Sequence, residues 1–320
     1  METRHWTYYD RADLKKWSGR IDGTTEEHLR WHQIIHCIDL RDELDLSGSY
    51  VLLGFACDEG VLRNLGRSGA AKGPEILKKT LANLPVFRNK KTKLIDAGTI
   101  HCNDKQLENA QEALGFVIHL ILQRGGFPIV LGGGHEITFG HYLGLKANYK
   151  SKLGIINFDA HFDIRKPQQE IATSGTSFYQ IAQLEKQLSY LPIGIQKISN
   201  TQILFDTARE YQISWIEAQD FQAHNRKVIL DQIDAFISGI DHFYLTIDLD
   251  VFAASYAPGV SAVAFNGIVP DAFFLDIYEH VLSSGKLVSI DVAEFNPEYD
   301  YDNHTAKLAA DLLFRLVMAQ

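Results

Sequence analysis

The chain has 320 residues, of which 46% are apolar and 22% are charged, a composition typical of a globular protein with a large core. Its 31 Lys and Arg residues against 40 Asp and Glu residues give a net charge of −9. That charge argues against a general nucleic-acid or anionic-membrane binder. No window approaches the roughly 20 apolar residues of a membrane span. Three scattered cysteines without a CxxC pair indicate reduced thiols, so we expect a cytoplasmic protein.

Residues 1–48 are predicted to form a leader of short helices packed on the main body. Within it, Thr24 or Thr25 is expected to cap a helix that runs toward Cys37. Strands are then predicted near 50–55, 92–96, 127–131, 153–158, 191–196, 213–216, 242–249 and 286–292. Helices are predicted near 74–84, 105–124, 136–149, 201–210, 225–239, 270–284 and 303–319. The basic run at 90–93 predicts a solvated turn.

Eight predicted strands that alternate with helices indicate a mainly parallel α/β sheet in a single domain over 1–320. The strands are apolar on both faces, as expected when helices cover both sides of a sheet. Periodicity leaves open whether this is an open doubly wound sheet or a closed eight-stranded barrel. Both folds bind ligands at the carboxyl ends of their strands, so the predicted position of the site is the same.

The stretch 157–165 is dense in polar groups and overlaps the end of the apolar strand predicted near 153–158. Alternate side chains of an extended segment share a face, so Asp159, His161 and Asp163 are expected to point the same way. Such groups are costly to hold together unless a cation lies between them. An acidic loop without a metal is the alternative; we favour a metal site.

Further polar residues follow two other predicted strands at the same edge of the sheet. His135 lies in the glycine-rich run 132–136, and Asp248 and Asp250 end the seventh predicted strand. Each group alone also fits an ordinary loop. Together with the first stretch they would bring two imidazoles and four carboxylates to one place, which requires about two divalent cations. The candidate ligands are His135, Asp159, His161, Asp163, Asp248 and Asp250. Carboxylates with two imidazoles and no thiolate favour Mn²⁺ over Zn²⁺, Ni²⁺ or Fe²⁺.

Four motifs in this order resemble those of the ureohydrolase (arginase/agmatinase) superfamily. They are GGGHE at 132–136, NFDAHFD at 157–163, TIDLD at 246–250 and DVAEFNP at 291–297. The resemblance covers the chain from about residue 50 to its end. It implies a three-layer α/β fold, in which a mainly parallel eight-stranded sheet carries helices on both faces. It also implies that the six candidate ligands bind two Mn²⁺ per subunit, and that the protein is a homo-oligomer.

Further details resemble the formimidoylglutamase subfamily. Arg165 stands where arginases continue toward an asparagine, and the segment 173–178 replaces a loop that carries a shuttle histidine in arginases. The loop that contains Asn64 and the segment 17–20 also resemble this subfamily. The resemblance implies hydrolysis of N-formimidoyl-L-glutamate to L-glutamate and formamide, a reaction of histidine degradation.

The same resemblance implies roles for individual residues. A hydroxide that bridges the two metals would attack the formimidoyl carbon, with Asp250 carrying the proton to the leaving amine. Glu294 is expected to pair with the cationic amidine, or else to cap the turn that follows it. Arg165 is expected to bind one substrate carboxylate through a bidentate contact, or else to form a surface ion pair. Arg67, with Arg63 competing, is the candidate for the other carboxylate. The predicted substrate-binding residues are therefore Arg165, Glu294, Arg67 and Asn64.

Other functions stay open from the sequence. A ureohydrolase acting on arginine, agmatine or guanidinobutyrate would share the four motifs. A non-catalytic metal-binding scaffold would generally have lost ligands, and a two-metal phosphatase is disfavoured because no GxxxxGK[ST] phosphate loop is present. If Phe178 occupies the position of the shuttle histidine, His141 and His304 are the candidates to replace it.

Overall fold

The computed structural model describes residues 2–87 and 93–319. Within these residues the strands are β1 (Tyr9–Asp10), β2 (His36–Cys37), β3 (Ser49–Ala56), β4 (Lys93–His101), β5 (Phe127–Gly132), β6 (Leu153–Phe158), β7 (Tyr190–Ile195), β8 (Ile216–Glu217), β9 (His242–Asp248) and β10 (Leu287–Ala293). They form one sheet in the order β1–β4–β3–β5–β10–β9–β6–β7–β8, with β2 also paired to β4. No pairing in the described part of the chain joins the two ends of this order, so the sheet is open rather than a closed barrel.

The sheet confirms the predicted mainly parallel α/β fold. All eight predicted strands are present, and each pairs in parallel with its neighbours among them. The two strands that were not predicted, β1 and β2, are two residues long, and β1 is antiparallel to β4. The single-domain organisation stays a prediction, which this continuous sheet supports. Residues 90–92 of the predicted basic turn lie outside the described residues.

Helices cover both faces of the sheet. They are α1 (Trp31–Ile34), α2 (Glu59–Arg63), α3 (Gly73–Leu81), α4 (Leu107–Gln123), α5 (Ile137–Asn148), α6 (Ser177–Leu184), α7 (Gln202–Glu210), α8 (Arg226–Ser238), α9 (Ala272–Leu282) and α10 (His304–Ala319). Alternate residues of β3 enter different cores: Leu52 packs in the core of α3, α8, α9 and α10, while Val51 and Leu53 pack in that of α4 to α7. This alternation is what a strand buried on both sides requires.

The leader differs from the prediction. The expected helix toward Cys37 is wrong: 26–28 form a single 3₁₀ turn, α1 has four residues, and Cys37 lies in β2. The Thr25 hydroxyl contacts the His28 ring at 2.8 Å instead of capping the backbone. Backbone pairing of the leader with β4 and with the end of α3 outweighs its local helix preference. The buried Trp17 also holds the leader to the body, because its indole N–H donates to Asp96 at 2.8 Å.

The strand order brings the polar motifs to one edge. Strands β5, β10, β9 and β6 are consecutive neighbours in the sheet, and all run in the same direction. In register, Ala293 at the end of β10 lies beside Asp248 at the end of β9, and Phe158 of β6 lies beside Ile247. The segments that follow these strands therefore meet, as the carboxyl ends of parallel strands do in α/β proteins.

Candidate metal centre

The first group of candidate ligands surrounds His135, which follows β5 and is fully buried. Its Nδ1 lies 2.9 Å from Oδ2 of Asp163, and 3.2 Å from Oδ2 of both Asp159 and Asp248. Three carboxylates from two different strand ends thus converge on one imidazole nitrogen. The glycine-rich run lets the backbone before His135 lie against the segment that follows β3, since a Cβ on Gly133 would overlap the carbonyl of Cys57.

The second group adjoins the first and shares Asp159 with it. Nδ1 of His161 lies 3.1 Å from Oδ2 of Asp250 and 3.5 Å from Oδ1 of Asp159. The His161 side chain is 26% exposed, whereas the Asp250 side chain is 3% exposed, so this group faces the opening of the site. In each group, one ligand atom per residue lies within 4.8 Å of all the others. The structure therefore brings together all six residues predicted as ligands.

The ligands converge through turns and not through strand alternation, so the expected extended geometry is wrong. Strand β6 ends at Phe158, and Asp163 has a φ of 46° in the left-handed region. One carboxylate oxygen of Asp159 accepts the His161 backbone N–H at 2.6 Å. Asp248 accepts the Asp250 N–H in the same way at 2.8 Å. Each aspartate thus shapes its own turn with Oδ1 and directs Oδ2 toward His135.

The buried carboxylates of the two groups need positive charge close to them. Burial lowers the pKa of His135, but hydrogen bonds with Asp159, Asp163 and Asp248 outweigh it and raise that pKa well above the usual 6.5. Burial and the nearby Asp250 raise the pKa of Asp248 well above its usual value. Burial also opposes ionisation of Asp159, yet the two histidines on either side of it lower its pKa. Protons on the imidazoles supply the positive charge in the metal-free protein, and bound cations would replace them.

The donor set fits divalent metal ions. Each group offers one imidazole nitrogen and two or three carboxylate oxygens, and no thiolate is among them. Oxygen-rich sites with imidazole suit ions such as Mn²⁺. A pair of sites that share a carboxylate is the arrangement of binuclear hydrolases.

Glu294 lies directly beside the first group. It is buried, it has a φ of 63°, and its Oε1 accepts the backbone N–H of His135 at 2.6 Å. Burial and the nearby carboxylate of Glu136 raise the pKa of Glu294 to about 8. A cationic group of a substrate would therefore meet a carboxyl group that has no ion-pair partner among residues 2–87 and 93–319.

The predicted substrate arginines differ in what they contact. Arg63 binds Glu59 and Glu108, and Arg67 donates to the carbonyls of Val260 and Ser261 at 2.6 and 3.3 Å. The guanidinium of Arg67 also lies 3.8 Å from the centre of the Tyr299 ring. Arg63 therefore joins α2 to α4, and Arg67 joins its own loop to the segment that contains Val260 and Ser261. A substrate role for Arg67 stays a prediction.

Arg165 is exposed, and its guanidinium has no hydrogen-bond or ion-pair partner among the described residues. Its backbone N–H donates to the Gly175 carbonyl at 2.9 Å. A Cβ on Gly175 would lie 3.2 Å from Cδ of Arg165 and 3.3 Å from Nδ2 of Asn64, so the two side chains flank the same glycine. Asn64 in turn donates to the Ser174 hydroxyl at 3.2 Å. Arg165 and Asn64 thus lie together on loops beside the ligands.

Phe178 and the two histidines that could replace the shuttle histidine lie in different environments. Phe178 is buried, stacks on Tyr190 with ring centroids 4.0 Å apart, and presents its edge to His135. Both ring nitrogens of His141 are engaged in buried hydrogen bonds. His304 is exposed at the start of α10, next to Tyr301. His141 therefore has no free nitrogen with which to carry a substrate proton.

Two buried residues near the ligands were missed as functional candidates. Asn157 lies two positions before Asp159 and donates to its Oδ2 at 3.0 Å. Glu136 follows His135, accepts the Gly60 N–H at 2.9 Å, and leaves Oε2 without a hydrogen-bond partner in the described chain. Burial raises the pKa of Glu136 to about 7. The i, i+2 spacing was a signal for Asn157, whereas nothing local indicated the burial of Glu136.

Comparison with known proteins agrees with this geometry. Residues 48–319 match the model of the Arginase family. The chain belongs to the arginase family. Formimidoylglutamase of Rhodococcus jostii (strain RHA1) is 45% identical over 309 residues, covering 94% of this chain and 94% of that protein. Formimidoylglutamase of Clostridium tetani (strain Massachusetts / E88) is 41% identical over 318 residues, covering 94% and 93%.

Two solved structures share the fold of this chain. Trypanosoma cruzi formiminoglutamase, solved with Mn²⁺, has a TM-score of 0.75 at 25% identity and covers 97% of this chain and 98% of its own. Formimidoylglutamase of Bacillus subtilis subsp. subtilis str. 168 has a TM-score of 0.80 at 21% identity, covering 94% and 93%; at that identity it supports the fold alone. In this arginase-family chain, no helix of the described part is long and apolar enough to cross a membrane.

Proposed function

We propose that the protein is a metal-dependent formimidoylglutamase, which hydrolyses N-formimidoyl-L-glutamate to L-glutamate and formamide in histidine degradation. The observation that carries this proposal is the convergence of two imidazoles and four carboxylates in two adjoining groups that share Asp159. Relatives that are 41% and 45% identical over 94% of the chain are formimidoylglutamases. The exposed Arg165 beside the ligands suits a substrate that carries carboxylates.

We propose that the centre holds two Mn²⁺ per subunit. One would bind at His135, Asp163 and Asp248, the other at His161 and Asp250, with Asp159 shared between them. When bound, the metal pair supplies a hydroxide nucleophile near neutral pH. Support for manganese comes from the donor set and from the Mn²⁺ in the Trypanosoma cruzi formiminoglutamase. The homo-oligomer and the cytoplasmic location stay predictions.

The side chains suit distinct tasks in this reaction. Oδ1 of Asp250 is buried and has no hydrogen-bond partner among the described residues, so it is free to accept a proton and return it to the leaving amine. The Glu294 carboxyl, whose pKa burial raises to about 8, would ionise when a cationic amidine binds beside it. Arg165 would hold a carboxylate at the other end of the substrate through two parallel N–H donors.

A product assay tests the proposal. Mn²⁺-loaded protein is incubated separately with formimidoylglutamate, arginine, agmatine and guanidinobutyrate, and formamide, glutamate and urea are quantified. We expect equal amounts of formamide and glutamate from the first compound and no urea from the others. Asp159→Asn, which changes the ligand shared by both groups, should abolish turnover. Urea release without formamide would instead assign a guanidine substrate.

A further inference from the structure

A chain of buried hydrogen bonds extends from His135 away from the candidate ligands. Nε2 of His135 lies 3.0 Å from the hydroxyl oxygen of Thr246 on β9. That hydroxyl donates to Oδ1 of Asp291 on β10 at 2.6 Å. All three side chains are fully buried. Nδ1 of the same imidazole faces the three carboxylates of the first group, so the ring is contacted on both of its nitrogens.

The donors and acceptors of this chain assign the tautomer of His135. A hydroxyl has one hydrogen, and a carboxylate can only accept. Because Thr246 gives its hydrogen to Asp291, its oxygen is left to accept from the ring, and Nε2 of His135 must carry the N–H. The lone pair of the neutral ring is then on Nδ1, which is the nitrogen directed at the carboxylates. A metal-binding histidine needs this arrangement.

Asp291 is itself held in place by further buried groups. Its Oδ2 accepts the Tyr244 hydroxyl at 2.6 Å and lies 2.7 Å from Nδ1 of His141. The other nitrogen of His141 lies 2.7 Å from the Ser289 hydroxyl, which donates to the Pro128 carbonyl at 2.8 Å. The chain thus ends on the backbone of β5, the strand that precedes His135. Such a fully connected network resists rotation of any one member.

The second histidine has no comparable support. Nε2 of His161 has no hydrogen-bond partner within residues 2–87 and 93–319, and its side chain is 26% exposed. The side chain of His135, by contrast, is fully buried. Removing the Thr246 hydroxyl should therefore affect one metal position and not the other.

We propose that Asp291, acting through Thr246, is a positioning residue that holds His135 with its Nδ1 lone pair toward the ligands and so sets the affinity of one of the two metal positions. This inference rests on the metal centre of the proposed function and does not depend on the substrate. Hydrogen-bonding partners of this kind typically change metal affinity roughly 10- to 100-fold.

The test is the binding of Mn²⁺ to metal-free protein, measured by equilibrium dialysis without substrate. Thr246→Val removes the hydroxyl and keeps the shape, Thr246→Ser restores the hydroxyl, and Tyr244→Phe removes one donor to Asp291. Thr305→Val is the matched control, because the buried hydroxyl of Thr305 accepts the Gly259 N–H at 2.8 Å outside this network. Denaturant unfolding of each metal-free variant measures its stability.

We expect Thr246→Val to bind one Mn²⁺ roughly 10- to 100-fold more weakly and the other normally. Thr246→Ser should bind both like the wild type, and Tyr244→Phe should weaken the same position by less. Thr305→Val should keep both affinities even where its unfolding free energy falls. Equal weakening of both positions in Thr246→Val, or no weakening, would overturn the inference, as would failure of the serine variant to restore binding.

The design separates this inference from the proposed function. If the wild-type protein binds two Mn²⁺ but releases no formamide, the proposed substrate is wrong. The positioning role of Asp291 is then still decided by the dialysis result. Wild-type protein that binds no Mn²⁺ would overturn both. If Thr246→Val does not fold, the affinities of Tyr244→Phe decide the outcome alone.

Discussion

Asn157 donates a hydrogen bond of 3.0 Å to Oδ2 of Asp159, the carboxylate shared by the two groups of candidate ligands. The same amide nitrogen lies 3.0 Å from the Tyr190 hydroxyl, and Asn157 is fully buried. Asp159 therefore has one oxygen held by the His161 backbone and the other held by a side chain from within β6. The shared ligand is oriented before any metal binds.

Replacing Asn157 should weaken metal binding. Asn157→Leu has a similar volume but removes the donor to Asp159, so we expect Mn²⁺ affinity to fall roughly 10- to 100-fold. Since Asp159 belongs to both groups, both metal positions should weaken, unlike in Thr246→Val. Equilibrium dialysis measures the change. Asn148→Leu, which removes a side-chain amide at the end of α5, is the control and should bind Mn²⁺ normally.

Arg165 is expected to act in substrate binding and not in chemistry. Arg165→Gln should raise the KM for formimidoylglutamate about 10- to 100-fold and change kcat little, because a hydrogen bond to a charged group contributes about 1.5–3 kcal/mol. Steady-state kinetics of formamide release measure both constants. Lys166→Gln, an exposed basic neighbour, is the matched control. A fall in kcat at unchanged KM would argue against carboxylate binding by Arg165.

The pKa of Glu136 predicts a pH dependence of stability. Burial raises this pKa from 4.5 to about 7 in the folded protein, so folding favours the protonated carboxyl. The resulting stability is fully present below pH 4.5 and is lost as the pH rises through 7. Between pH 5 and pH 8 the loss is on the order of 2–3 kcal/mol.

Glu136→Gln should remove this loss. Both proteins are measured with a chelator present, so that no metal is bound. Between pH 5 and pH 8 the unfolding free energy of the wild type should fall more than that of Glu136→Gln, and the difference should be about 2–3 kcal/mol. Denaturant unfolding at the two pH values measures the difference. Glu298→Gln, an exposed glutamate that pairs with Lys72 at 2.5 Å, should keep the wild-type profile. An unchanged profile in Glu136→Gln would show that this carboxyl does not titrate differently on folding.

Removal of the metal should destabilise the protein more at high pH. In the metal-free protein the pKa values of His135 and His161 are raised well above 6.5; burial opposes this, but the neighbouring aspartates outweigh it. Protons therefore compete with Mn²⁺ for the same nitrogens at low pH. At a fixed free Mn²⁺ concentration equal to 100 times the Kd at pH 8, each site should add about 2.7 kcal/mol at pH 8 and less at pH 6. Thermal unfolding with Mn²⁺ or with chelator, at pH 6 and pH 8, measures the effect. Equal shifts at the two pH values would contradict it.

Much of the site follows from residues that are close in the chain. The turns of the ligand motifs are local: Asp159 accepts the N–H of His161, and Asp248 accepts that of Asp250. A spacing of two residues is therefore enough to predict which side chains act together. Strongly apolar segments also predict buried parallel strands, because both faces of each strand must be covered.

The remaining features of the fold and of the site depend on contacts between segments that are distant in the chain. The four strands lie in the order β5–β10–β9–β6. This order brings His135 close to Asp163 and Asp248. Long-range pairing with β4 also decides the conformation of the leader, against its local helix preference. Contacts between distant segments also distinguish the arginines. Arg63 pairs with Glu108 and Arg67 donates to the Val260 carbonyl, whereas the Arg165 guanidinium has no partner in the described part of the chain.

The hydrogen bonds that orient His135 show most clearly what depends on the sequence and what depends on the fold. Thr246 and Asp291 lie in the TIDLD and DVAEFNP motifs, and their spacing from the ligands was visible in the sequence. Their roles were not, because a hydroxyl and a carboxylate on two strands become partners only when β9 and β10 pair in register, with Thr246 opposite Asp291. Residue identity thus specifies which groups can bind a metal. The pairing of strands specifies which oxygen faces which nitrogen, since hydrogen bonds depend on distances that only the assembled sheet sets.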